Sequence, residues 1–321
     1  MLWRIRQFLA VAKISLLETI RQPVVLLVAA SGIVFIALLP LFITFTMGEG
    51  ERLVRDNGLA VHFFFGLLLG STAAGTALTR EIRRGAAAVI LAKPVDRRLF
   101  FLAKYAGLAV VLLMYSACAC LATILSSRMA AEPYVLDWWA GAPLLAAPVA
   151  AFGLAGLLNY LQRRPFASQA FSWLLPALLL ALLACAAAGP RGDGGPFGAH
   201  LRWSVIPVSL LITLAVLVLS ALALTLATRL EPVPILFACS AIFLVGLMSD
   251  YIFGRPAAGS AVAGFFYAII PNWQNFWAAD ALAGKGVPWS YVAQAGAYAA
   301  AWLIALLSLG LFSFDRMEVG S

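Results

Sequence analysis

Eight stretches of about twenty residues carry almost nothing but apolar side chains: 24–46, 59–79, 105–126, 142–161, 171–188, 204–228, 235–253 and 291–314. A bilayer core about 30 Å thick asks for roughly 20 apolar residues per spanning helix, which is the length these runs have. Of the 321 residues, 63% are hydrophobic and 11% charged. A soluble domain holds about 45–50% and 25%, because it must clothe its outside in polar groups. A soluble globular fold is therefore excluded. The runs are apolar on every face rather than alternating with period two, which reads as helices and not barrel strands. The expected architecture is an all-α polytopic transmembrane helical bundle of about eight spans. Pro40, Pro148, Pro176 and Pro207 fall inside runs, where neighbouring helices can satisfy the freed carbonyls. Cys118, Cys120, Cys185 and Cys239 all lie in apolar runs and read as buried small hydrophobes, not as a disulfide framework.

An even number of spans puts both termini on one side, and the charges then sort by side. Fifteen basic and six acidic residues fall with the termini, against seven and eight on the far side, giving +9 and −1. The positive-inside rule places the termini and the 80–104 loop in the cytoplasm. Topology thus accounts for the whole net charge of +8, and nucleic acid is not needed as a partner.

Residues 1–23 precede the first run and read as an amphipathic helix lying along the cytoplasmic interface, ahead of a transmembrane domain over 24–321. Leu2, Ile5, Leu9, Leu16 and Ile20 share one arc; Arg6, Gln7, Lys13, Glu18 and Arg21 share the other. Arg4, Arg6, Lys13, Glu18 and Arg21 are its candidate interface residues, with the cations near anionic lipid. Charge punctuates residues 3–21, so they do not read as a cleavable signal peptide. Pro23 breaks the chain before it enters the bilayer. On the far side, 257–288 is rich in Phe, Tyr and Trp but broken by Pro271, Asn272, Gln274, Asn275 and Asp280. It reads as helices lying in or re-entering the outer interface.

The chain offers little material for catalysis, and no enzymatic activity is expected. His62 and His200 read as outer-edge residues in different segments, with no Cys or carboxylate at metal-ligand spacing. There is no Gly-x-Ser-x-Gly, and none of the four lysines follows a phosphate-binding glycine loop, so the chain cannot hydrolyse ATP alone. Ionisable side chains such as Glu81, Arg229, Glu231, Asp250 and Asp280 sit at the ends of the runs. An ion-coupled carrier would want them in the middle. The energy source is expected in a partner.

The most informative local pattern follows the second run, in the coupling segment 80–104. Gly85 to Leu91 reads as about two helical turns, ended by Lys93-Pro94 because the residue before proline is pushed out of the α region. Asp96 then caps a helix running into the third span. The order Glu81, Gly85, Leu91, Lys93, Pro94, Val95, Asp96, Arg97, Phe100, Lys104, Tyr105, Gly107 resembles the segment between the second and third spans of type-2 (ABC-2) exporter permeases, membrane subunits of ABC transporters. In that family the segment is the coupling helix seated in the nucleotide-binding subunit. The resemblance implies coupling roles for Glu81, Arg83, Arg84, Gly85, Leu91, Lys93, Pro94, Asp96 and Arg97. It further implies separate ABC ATP-binding subunits as partners, a second permease copy or paralogue, and a bacterial inner (plasma) membrane. No cofactor is bound by this chain, and ATP-Mg is held in the partner. The family core has six spans, so eight leaves 142–188 as an extra helical pair. The rival readings are a partner-independent secondary carrier or lipid scramblase, and a non-transporting membrane scaffold. The spans do not select a substrate.

Overall fold

The computed structural model describes residues 2–43, 48–83, 96–132, 135–189, 196–256, 259–279, 282 and 286–316. The chain is helical along most of that length, and among the described residues the one β feature is an isolated bridge between Glu132 and Val135. In order come α1 (Leu2–Ile20), α2 (Pro23–Phe42), α3 (Gly50–Arg83), α4 (Arg97–Met129), α5 (Trp138–Gln162), α6 (Phe166–Ala188), α7 (Val205–Leu226), α8 (Pro232–Leu247), a π-helical turn (Asp250–Gly254), α9 (Ala261–Ile269), a 3-10 turn (Trp273–Phe276) and α10 (Trp289–Asp315). Helices α2 to α7 and α10 are long and apolar enough to cross a membrane. The bundle is therefore an all-α polytopic one, with the expected helix at its amino end. Gln22 is extended at φ −74° and ψ 124°, and Pro23 opens α2, where its missing N–H costs nothing.

One expected span takes a different form. The run 235–253 is not a single helix: α8 has 16 residues, about 24 Å, and gives way to the π turn at Asp250. The cause lies in the outer segment, which folds back onto α8. The Trp273 indole N–H donates to the Ile242 carbonyl at 3.3 Å, and a Cβ at Gly246 would strike both the Pro271 carbonyl and that indole. Asp250 Oδ1 accepts from the Tyr267 hydroxyl at 2.7 Å and from Asn272 Nδ2 at 2.8 Å. The aromatics of this segment divide: Trp273 and Phe276 are fully buried, while Phe265 and Phe266 stay exposed.

Helices α3, α4 and α7 form the centre, with α2 and α10 against them, α8 on α3, and the α5–α6 hairpin against α4 and α2. In lipid, apolar burial drives helices together weakly, so small residues and side-chain hydrogen bonds carry more of the specificity. Here hydroxyls reach across to neighbouring carbonyls: Ser126 to Ile36 at 2.8 Å, Tyr105 to Leu217 at 3.0 Å and Thr225 to Leu306 at 2.9 Å. The four cysteines are free, and all but the half-buried Cys120 are buried. At the end of α4, Arg128 pairs with Asp137 at 2.6 Å, both buried, and Asp137 also accepts from the Trp139 N–H to cap α5. His62 is not at an outer edge, because α3 begins at Gly50, nine residues before the apolar run. The imidazole is fully buried among α3, α4 and α7, with Ser209 Oγ 3.3 Å from Nδ1 and the Tyr115 ring edge-on.

Helix α1 lies tightly on α4. A Cβ at Gly107 would sit 2.5 Å from the Ala12 carbonyl oxygen and 2.8 Å from the Leu16 nitrogen, both backbone atoms that cannot yield. Gly107→Leu is therefore expected to destabilise the protein by about 2–3 kcal/mol through overpacking. Gly153→Ala, inside α5 where a Cβ meets nothing within 4 Å, should not destabilise and should gain up to about 1 kcal/mol from helix propensity. Thermal unfolding of the detergent-solubilised chain compares the two, and equal effects would contradict the close approach.

Candidate functional site

The basic end of the bundle gathers the residues that the sequence marked. Glu81 and Arg83 fall in the last turn of α3, and α4 opens at Arg97. Arg84, Gly85, Leu91, Lys93 and Pro94 lie outside the described residues, as does the short helix expected over 85–91. Asp96 takes the capping role assigned to it: extended at φ −62° and ψ 130°, it accepts from the Arg98 N–H at 3.0 Å. Arg97 follows it, half-buried in the first turn of α4.

The residues after this cap stitch α4 to three other helices. Arg98 Nε donates to Asp315 Oδ2 at 3.1 Å, and Phe314 stacks on Phe100 and leans on Phe101, which ties the start of α4 to the end of α10. Lys104 Nζ donates to Glu18 Oε2 at 2.9 Å, and the Ser15 hydroxyl donates to the Lys104 carbonyl at 3.1 Å; both bonds reach α1. Tyr105, about 100° further round the helix, bonds α7 instead. Gly107, one turn beyond Lys104, lets the α1 backbone in. The spacing Lys-Tyr-x-Gly thus has a physical content: a charge, a long donor and a gap, aimed at two different neighbours.

These contacts also fix where the chain ends. Glu18 and Asp315 both bond the first turns of α4, so α1 and the end of α10 lie at the same end of the bundle. Arg229, after α7, adds a bond from its Nε to Ser313 Oγ at 3.2 Å.

The candidate interface residues of α1 divide. Arg4, Arg6, Lys13 and Arg21 are exposed. Glu18 keeps 53% of its side chain in solvent but has a structural bond, so it belongs to the seam with α4. The stripe of α1 that faces the bundle includes Ser15 and Thr19, each 1% exposed, and the apolar arc expected from the sequence divides: Ile5 and Leu9 are exposed, while Ile20 is buried in the bundle. Sequence reasoning passed over Ser15, Arg98 and Asp315. The available signal was a hydroxyl among apolar α1 positions, and a lone acid at the end of the last run opposite a basic segment.

No protein-family model matches the chain, and no curated protein matches it.

The Glu18–Lys104 pair is asymmetric. Lys104 is 2% exposed, so removing Glu18 takes an acceptor away from a buried charge, whereas removing the lysine leaves a carboxylate half in water. Glu18→Gln should cost about 1–2 kcal/mol, well under the roughly 3–5 kcal/mol of a fully buried pair because Glu18 is partly solvated. Lys104→Met, which keeps the apolar stem, should cost less. Thermal unfolding of the two variants at equal ionic strength gives the order, and the reverse order would contradict the burial.

Proposed function

We propose that the chain is the membrane-spanning permease subunit of an ATP-driven exporter of the ABC type-2 class. It pairs with a second permease, the same or a paralogue, and with two separate ATP-binding subunits that hold ATP-Mg. Its place is a bacterial inner membrane with both termini in the cytoplasm. The observation that carries this reading is the stitching at the basic end. Residues of the first turns of α4 bind α1, α7 and α10 at once, so a displacement of the start of α4 is passed to three further helices. Arg4, Arg6, Lys13 and Arg21 of the α1 region are exposed, open to anionic lipid or to an acidic surface of the ATP-binding subunit.

The interior supports a power source outside the chain. Among the described residues the buried carboxylate is Asp137, which is neutralised by Arg128 at the end of α4. The buried His62 lies against a serine and a tyrosine rather than an acid, which makes a poor ion relay.

Purification of the tagged full chain from its native membrane should bring an ATPase with it. ATP hydrolysis by that ATPase should depend on the wild-type chain in lipid. The Glu81→Ala, Arg84→Ala variant should lose that dependence while its unfolding temperature stays within about 2 °C of wild type. A chain that retains no ATPase, or a variant with undiminished coupling, would overturn the assignment.

A further inference from the structure

Outer-side cations are scarce in this chain, and three of the seven arginines and lysines assigned there converge on one pocket of ≈ 310 Å³. Arg52 and Arg55 come from the first two turns of α3, and Arg202 from the turn before α7. Glu51, Ser204, Leu282 and Gly286 complete the lining. The pocket is at the opposite end of the bundle from α1, at the depth where a spanning helix emerges.

The local acids are committed to pairs. Glu51 is held by Arg202 through two bonds, from Nε to Oε1 and from Nη2 to Oε2. Asp56 Oδ1 accepts from Arg55 Nε at 3.0 Å, and Arg52 lies 3.4 Å from Glu49 and 3.8 Å from Asp56. Three guanidinium groups therefore meet three carboxylates, yet the donors are not all used. Arg55 is 8% exposed, and its Nη2 is sealed from solvent without any hydrogen-bond partner. A buried guanidinium nitrogen left without an acceptor costs on the order of 1–3 kcal/mol, more when charged. The amino ends of α3 at Gly50 and α7 at Val205 lie beside lining residues, and each carries partial positive charge. Ser204, at the start of α7, makes no capping bond with its hydroxyl.

We propose that this pocket binds a phosphate group, its oxygens accepting from the Arg55 guanidinium, turned into the pocket from its present sealed position, from Arg202 and from the uncommitted Ser204 hydroxyl. A planar guanidinium fork suits a tetrahedral oxyanion, and Glu51 is already neutralised by a bidentate bond, so it does not repel the anion strongly. The phosphate belongs either to an outer-leaflet lipid headgroup, which this depth favours, or to a soluble phosphate. The proposal stands on the arginines and not on the transport reading, so the two can fail separately.

The test uses the full chain. In detergent, inorganic phosphate is titrated against chloride at constant ionic strength while thermal unfolding is followed. In parallel, the chain is placed in nanodiscs of phosphatidylglycerol or of an uncharged, phosphate-free glycolipid, and retained lipid is counted by native mass spectrometry. Saturable protection by inorganic phosphate assigns a soluble source; selective retention of phosphatidylglycerol without it assigns a headgroup. In either case Arg55→Gln should weaken binding at least about tenfold, the loss of one charged hydrogen bond, and Arg255→Gln, outside the pocket, should not. If Arg55→Gln fails to fold, the exposed Arg202→Gln must show the same loss. No binding by either probe, or wild-type affinity in the pocket variant that folds, would overturn the proposal.

Discussion

Lys104 carries its charge where the bundle has closed around it, 2% exposed, and the way that charge is held organises the basic end of the molecule. An ammonium taken out of water costs several kcal/mol unless it is bonded. Glu18 supplies the carboxylate from α1, Phe100 places a ring face 5.7 Å away, and Gly107 one turn later removes the side chain that would keep the α1 backbone at a distance. None of the three is enough alone. A salt bridge to a helix held away by a Cβ would not form, and a close approach without the carboxylate would take from the buried ammonium the acceptor that α1 supplies. Helix α1 is thereby made part of the bundle rather than a strap lying on lipid.

Much of this was legible from the residues, and the parts that were not have physical causes. The membrane spans follow from runs of twenty apolar residues, which leave no other fold open. The cap at Asp96 follows from a short acceptor placed just after a proline and before an apolar run. The end of α8 was hidden because its cause is tertiary: Gly246 and Ile242 look like ordinary span residues until Trp273, thirty residues on, packs into them. His62 was misplaced for a related reason. Arg52, Arg55 and Asp56 break the apolar run, yet they are helical, and the helix that contains them carries the histidine inward. Ser15 and Glu18 read as polar positions on an interface helix, and only the arrival of Lys104 gives them a common partner.

The two ends of the bundle carry different chemistry. At one end, α1, α4, α7 and α10 are joined by bonds that would pass on a mechanical displacement, with unspent cations on the surface of α1. At the other, the acids and arginines of α3 and the α7 entry are mutually paired and surround a pocket with an unsatisfied donor. Between them, among the described residues, the buried carboxylate is Asp137, paired with Arg128.

Hydrogen exchange on the full chain in nanodiscs tests the clamp most directly. If α1 is clamped to α4, the amides of residues 12–20 should be protected to nearly the degree of those at 100–107, because opening α1 means exposing Lys104 and breaking the Gly107 contact. Exchange of α1 within seconds, as for a helix lying free on the lipid surface while α4 stays protected, would contradict the clamp on which the rest depends.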